Sequence, residues 1–260
     1  MADKAILYDA TKCTACRGCQ VACKQWNDLP AEETTNRGTY ENPPDLSANT
    51  WLKMVFHEVG SPPNLKWVFT RRACMHCTDA GCVEVCPTGA LYHNDLGFVG
   101  YDRAKCSGCG YCVEACPFDV PRYSGNVITG VREANKCTLC QDRITNDMLP
   151  ACVKTCPPGA LKYGDRATLL AEAKQRVAEI GGKAMVYGEK EVGGTHVIYV
   201  LDDEPSVYGL PAEPKVSGAV TAWQDVLHPI GWGVAAITVL GLGLNYVIAK
   251  RKIKVESEGK

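Results

Sequence analysis

The sequence predicts an α+β fold followed by one helix long enough to cross a membrane, and three observations predict it. All 16 cysteines lie between Cys13 and Cys156, in four quartets with none left over. Between and after them, short apolar runs alternate with Gly, Pro, Ser and Asn turns, and one amphipathic segment follows. Towards the C-terminus, the 24 residues from Val226 to Ala249 contain no Asp, Glu, Lys or Arg.

The quartets come first. Group I is Cys13, Cys16, Cys19 and Cys23; group II is Cys74, Cys77, Cys82 and Cys86; group III is Cys106, Cys109, Cys112 and Cys116; group IV is Cys137, Cys140, Cys152 and Cys156. "YDATKCTACRGCQVAC" at 8–23 returns at 101–116 as "YDRAKCSGCGYCVEAC" with every cysteine in register. Disulfides would suit an extracellular chain, and zinc sites also use CxxC pairs. A third cysteine at the same spacing, and in group III a fourth followed by Pro117, instead describe ligand loops for 4Fe-4S cubanes.

Three thiolates two residues apart wrap three corners of a cubane, and the fourth iron lies beyond that loop, so a cysteine of another group must reach it. Groups therefore pair, and four groups imply four clusters. Spacing leaves the partners open, because 19 residues separate groups II and III and 20 separate III and IV. With four thiolates each, the clusters have no open iron position, so the set reads as an electron wire without a catalytic site. "TDAG" before Cys82 and the longer loop between Cys140 and Cys152 are expected at the surface, available to a partner.

The remaining elements follow in order. Trp51–Val59 and Leu65–Arg71 read as a β-hairpin, and "ALYHNDLGFVGYD" as a shorter one. In "GDRATLLAEAKQRVAEIGG", Asp165 is the expected N-cap, Leu169, Ala173, Val177 and Ile180 form the apolar stripe, and glycine stops the helix. "KAMVY" and "GTHVIYVL" read as strands, and a Pro-rich linker follows. The expected divisions are 1–164 for the cluster region, 165–203 for a helix-strand cap, 204–225 for the linker, 226–249 for the span and 250–260 for a basic tail. His57, His76, His93 and His196 are not at ligand spacing, and His76, within "CMHC", is expected to pack rather than ligate.

The span exceeds the roughly 20 residues a bilayer needs. Trp223 and Trp232 suit one interface and Tyr246 the other. Lys250, Arg251, Lys252 and Lys254 follow it, whereas Glu213 and Asp225 precede it with Lys215, so the positive-inside rule puts the C-terminus in the cytoplasm and the cluster region in the periplasm. The N-terminus has no apolar signal core, and Arg71-Arg72 lies too deep for a twin-arginine signal, so export bound to a signal-bearing partner is expected. With 28 Lys and Arg against 29 Asp and Glu, the net charge of −1 gives no reason to expect a nucleic-acid partner.

The four-group pattern resembles the iron-sulfur subunits of membrane-associated molybdopterin oxidoreductases. "QVACKQWND", "YENPPDLSANTW", "CGYCVEACPFDVPR", "KCTLCQDR", "PACVKTCPPGAL" and "EVGGTHVIYVL…YGLP" look like the beta subunits of membrane-bound respiratory formate dehydrogenases. Unlike the nitrate reductase branch, group III keeps all four cysteines; group I has Lys24 where a proline would follow.

The resemblance implies two ferredoxin-like units, each with two 4Fe-4S clusters, nested with II and III inside I and IV. The implied ligand sets are Cys13, Cys16, Cys19 and Cys156; Cys23, Cys137, Cys140 and Cys152; Cys74, Cys77, Cys82 and Cys116; and Cys86, Cys106, Cys109 and Cys112. It also implies a molybdenum- or tungsten-pterin alpha subunit oxidising formate, a cytochrome b gamma subunit passing electrons to quinone, and a bacterial inner-membrane location in contact with lipid. A polysulfide or thiosulfate reductase subunit and a free membrane-tethered polyferredoxin are the alternatives.

Overall fold

Strand β1, Lys4–Asp9, opens the chain and is buried at five successive positions because both its faces are covered. This is seen in a computed structural model that describes residues 3–125, 132–222 and 227–258, those at 221, 222, 228 and 251–258 by backbone alone. Two units result, Met1–Val216 and Ser217–Lys260.

After β1 come helix α1, Gly18–Trp26, the hairpin β2 (Lys53–Val59) and β3 (Lys66–Arg72), and the short helix α2, Gly81–Glu84. The hairpin β4 (Leu91–His93) and β5 (Val99–Tyr101), helix α3 (Tyr111–Glu114) and the pair β6 (Arg122–Gly125) and β7 (Arg132–Asn135) follow. Helices α4 (Gln141–Ile144) and α5 (Ala151–Lys154) lead to β8 (Leu161–Asp165), α6 (Arg166–Ile180), β9 (Met185–Tyr187) and β10 (Val197–Leu201). The two expected hairpins form, with boundaries moved by one or two residues. Trp51 and Leu52 are buried just ahead of the first strand instead of within it.

A four-stranded sheet in the order β8-β1-β10-β9 joins the start of the chain to residues expected as a separate cap. β1 runs parallel to β10, with Ile6 opposite Val197, and antiparallel to β8. Period-two alternation then sorts the side chains. Ala5, Leu7, Ile198 and Val200 face Leu169 and Ala173 of α6, while Ile6, Tyr8, Val197 and Tyr199 join the core that contains Cys19, Cys23, Cys74, Cys137 and Cys152. The sheet is thus the wall between a helix and the thiol-bearing loops.

α6 starts where Asp165 accepts from the amides of Ala167 (3.1 Å) and Thr168 (3.3 Å), and stops at Gly181 with φ +70°. Its Leu169 is buried, worth roughly 2 kcal/mol over an exposed leucine. The stretch expected as linker is packed over its first part. Tyr208 is buried, its hydroxyl donates to Asp202 at 2.6 Å, and its carbonyl accepts from Thr70 at 2.7 Å.

In the second unit, α7 (Gly218–Ala222) precedes α8 (His228–Glu258). Pro229 sits in the first turn of α8, where its missing N–H breaks no hydrogen bond. Pro229–Lys250 is long and apolar enough to cross a membrane, with mean hydropathy 1.7 and none of it buried. Thr238 returns its hydroxyl to the Val234 carbonyl at 2.8 Å, which satisfies it without water. Trp223, Asp225 and Val226, and the side chains of Arg251, Lys252 and Lys254, lie outside the described residues.

Candidate cluster-binding site

The repeat in the sequence is a repeat in backbone. Asp9 accepts from the Thr11 amide at 3.0 Å, and Asp102 from the Ala104 amide at 3.1 Å. Each caps a 3₁₀ turn, Ala10–Lys12 or Arg103–Lys105, that delivers the first cysteine of its run in extended conformation, Cys13 at φ −69°, ψ 131° and Cys106 at φ −70°, ψ 122°. A tyrosine precedes each aspartate. Burial and the thiol of Cys13 push the Tyr8 hydroxyl's pKa up, and burial and Cys106 do the same at Tyr101.

The first CxxC pair of each of the four groups shares one twist. The residue just before the second cysteine is left-handed in each: Ala15 (φ +51°), His76 (+50°), Gly108 (+68°) and Leu139 (+55°). That conformation curls the loop so that amides turn inward, as where the Ala15 N–H meets Cys13 Sγ at 3.4 Å. Outside these loops, the Leu91 amide meets Cys86 Sγ at 3.5 Å.

The helices after these loops pair across the chain. α1 of group I packs on α5 of group IV, and α2 of group II on α3 of group III. A glycine permits each approach. A Cβ on Gly18 would stand 3.5 Å from the Thr155 carbonyl oxygen, and one on Gly81 only 2.9 Å from that of Ala115. These carbonyls immediately precede Cys156 and Cys116.

Four groups of thiols converge as a result. Cys13, Cys16, Cys19 and Cys156 act on one another electrostatically. So do Cys23, Cys137, Cys140 and Cys152; Cys74, Cys77, Cys82 and Cys116; and Cys86, Cys106, Cys109 and Cys112. The same influence also links Cys19 with Cys152, Cys74 with Cys137, and Cys82 with Cys112. The two exposed thiols are Cys16 and Cys109.

The donor chemistry fits clusters. All 16 thiols are free. Burial, reinforced by neighbouring sulfurs, pushes Cys19, Cys112 and Cys140 up to about 12. Thiols so placed need a cationic partner to ionise. A single tetrahedral zinc would draw its sulfurs to about 2.3 Å from one point. No three His, Cys, Asp or Glu side chains among the described residues stand close enough to hold one ion.

Several flanking residues carried no sequence signal. His76 is fully buried, its Nδ1 3.1 Å from the Val99 carbonyl oxygen, so it packs as expected, but in the interior. Burial, then Lys136, holds it well below the usual imidazole range. The "TDAG" insertion exposes Thr78 and Asp79, while its backbone is tied down by Thr78 N–H to Gly194 O and Asp79 N–H to Val192 O, both 2.8 Å. The loop between Cys140 and Cys152 does expose Met148 and Leu149. Arg71 is fully buried among the thiols.

Two family profiles, both described as 4Fe-4S dicluster domain, match residues 12–90 and 65–166. Paired ligand loops on a mixed α/β scaffold with these matches define the class: a multi-cluster iron-sulfur protein of the ferredoxin type. The nitrate-inducible formate dehydrogenase iron-sulfur subunit of Escherichia coli K12 is 42% identical over 95% of this chain and 85% of its own length. The formate dehydrogenase iron-sulfur subunit of Haemophilus influenzae is 42% identical over 93% of the chain and 78% of its own length. Formate dehydrogenase 2 subunit beta (cytochrome c-553) of Nitratidesulfovibrio vulgaris is 37% identical over 79% of the chain and 96% of its own length. The chain belongs to the family of formate dehydrogenase iron-sulfur subunits, electron-transfer subunits distinct from the catalytic one.

Proposed function

We propose that this chain relays electrons in a membrane-bound formate dehydrogenase, from a molybdenum- or tungsten-pterin catalytic subunit to a cytochrome b that serves quinone. The observation that carries the reading is a set of 16 free thiols, buried or half-buried except for Cys16 and Cys109, which reach the surface. A relay between two partners needs two such openings and a shielded middle.

Cys13, Cys16, Cys19 and Cys156 would hold one 4Fe-4S cluster and Cys23, Cys137, Cys140 and Cys152 the next. Cys74, Cys77, Cys82 and Cys116 would hold the third, and Cys86, Cys106, Cys109 and Cys112 the fourth. Each cluster, when bound, supplies one-electron redox chemistry. The chain's own residues supply thiolates, turn amides towards the sulfurs and exclude water. None of them acts on formate.

In this reading 1–164 carries the clusters, 165–203 buttresses their sheet, 204–225 leads to the span at 226–249, and 250–260 is a basic tail. The surplus of Lys and Arg after the span supports a cytoplasmic C-terminus and a periplasmic cluster region at a bacterial inner membrane.

The test is anaerobic purification of the complex in mild detergent, with mass spectrometry of its partners and formate assays using a dye and a quinone. Co-elution with a pterin subunit and a cytochrome b, with formate-driven quinone reduction, is the expected result. A polysulfide or thiosulfate reductase partner, or elution alone, removes formate from the account. The Cys16→Ser complex should keep dye reduction and lose most quinone reduction. Undiminished quinone activity with a full iron count would contradict the relay.

A further inference from the structure

Four cations are buried in the described part of the protein, and three have ordinary partners. Lys53 pairs with Glu41. Lys136 gives its ammonium to the carbonyls of Val99 and Cys137, both at 3.0 Å. Arg143 donates to the Leu149 carbonyl at 2.6 Å and lies 4.1 Å from the Trp26 ring centroid. Arg71 is different. It is fully buried, no carboxylate among the described residues pairs with it, and its Nε and Nη1 have no hydrogen-bond partner.

Its third nitrogen, Nη2, points to the answer, lying 3.9 Å from Cys152 Sγ. Burial works against that charge, so the guanidinium needs an anionic neighbour on its thiol side. Strand β3 puts it there, and Tyr199 on the facing sheet fixes the backbone by donating its hydroxyl to the Arg71 carbonyl.

A buried guanidinium with no counter-ion is strongly unfavourable, and removing one partner from such a site leaves a bare charge. A cluster with four thiolates is an anion and supplies the missing charge. We propose that Arg71 is the counter-charge of the centre held by Cys23, Cys137, Cys140 and Cys152, and that its guanidinium raises that centre's reduction potential. The inference rests on the reading that this set holds a four-iron cluster. The physics is direct. Uptake of one electron adds one negative charge beside a fixed positive one in a medium that screens poorly. The centre held by Cys86, Cys106, Cys109 and Cys112 is a separate set from the one Arg71 meets at Cys152 and serves as an internal reference.

The test is a redox titration followed by electron paramagnetic resonance on the purified complex, comparing the parent with Arg71→Gln and Arg71→Lys. The centre's signal is identified by its loss in Cys140→Ser. In Arg71→Gln, its reduced-to-oxidised ratio at a fixed potential should fall at least tenfold, about 59 mV for a one-electron couple. Arg71→Lys should stay within tenfold of the parent, and the Cys106 centre should not move in either. An unshifted midpoint in Arg71→Gln with full iron overturns this inference and leaves the relay intact. If Arg71→Gln loses iron, the lysine variant decides: retained iron supports the charge, and iron lost again overturns it. Absence of cluster signals from the parent complex would sink the cluster reading and this inference together.

Discussion

Ala15 and Gly108 occupy the same place in the two repeats, at φ +51° and +68°, yet their surroundings differ. Ala15 carries its Cβ there, whereas a Cβ on Gly108 would come within 2.3 Å of the Arg132 carbonyl oxygen on β7. Gly108→Ala should therefore displace the Cys106–Cys109 loop and lower iron bound per chain, while Ala15→Gly should keep the full amount. Iron assays on the two purified variants check this, and equal iron in both contradicts it. A left-handed backbone shows in the sequence only where glycine marks it. At His76 and Leu139 the same twist is held by the loop and had no legible sign.

Between elements, the two helix crossings differ by a few tenths of an ångström. At Gly18 a Cβ meets Thr155 O at 3.5 Å, an ordinary contact, but at Gly81 it meets Ala115 O at 2.9 Å and Val216 Cγ1 at 2.8 Å. Gly81→Ala should cost roughly 1–3 kcal/mol, as overpacking does. Its thermal unfolding midpoint should drop, with that of Gly18→Ala near the parent's. Equal midpoints would show that α2 shifts without cost. The hairpins and α6 were legible because alternation, turn residues and the Asp165 cap act over a few residues. β1 was not. Buried on both faces it has no alternation, and its partner β10 lies almost two hundred residues away.

Across the whole molecule, the unit Met1–Val216 carries every cysteine, and the unit Ser217–Lys260 carries the apolar helix. Leu240 and Ile237 are each 71% exposed on that helix, a surface that water would not tolerate and a bilayer would. A chain ending at Val216 should stay in the supernatant after high-speed centrifugation with its iron bound, and the full chain should pellet with membranes. Membrane association of the shortened chain would move the anchor elsewhere.

The amino-acid sequence by itself determined which residues are thiol donors, how each CxxC loop is spaced, where the hairpins turn and which segment is apolar enough to span. These are properties of local reach and local polarity. Only the tertiary structure decided that Cys156 returns to the neighbourhood of Cys13, that Cys16 and Cys109 are the exposed thiols, and that Arg71 is sealed beside Cys152. Closing a loop of more than a hundred residues depends on β8 and β10 flanking β1, and that pairing belongs to the folded sheet rather than to any one stretch of chain.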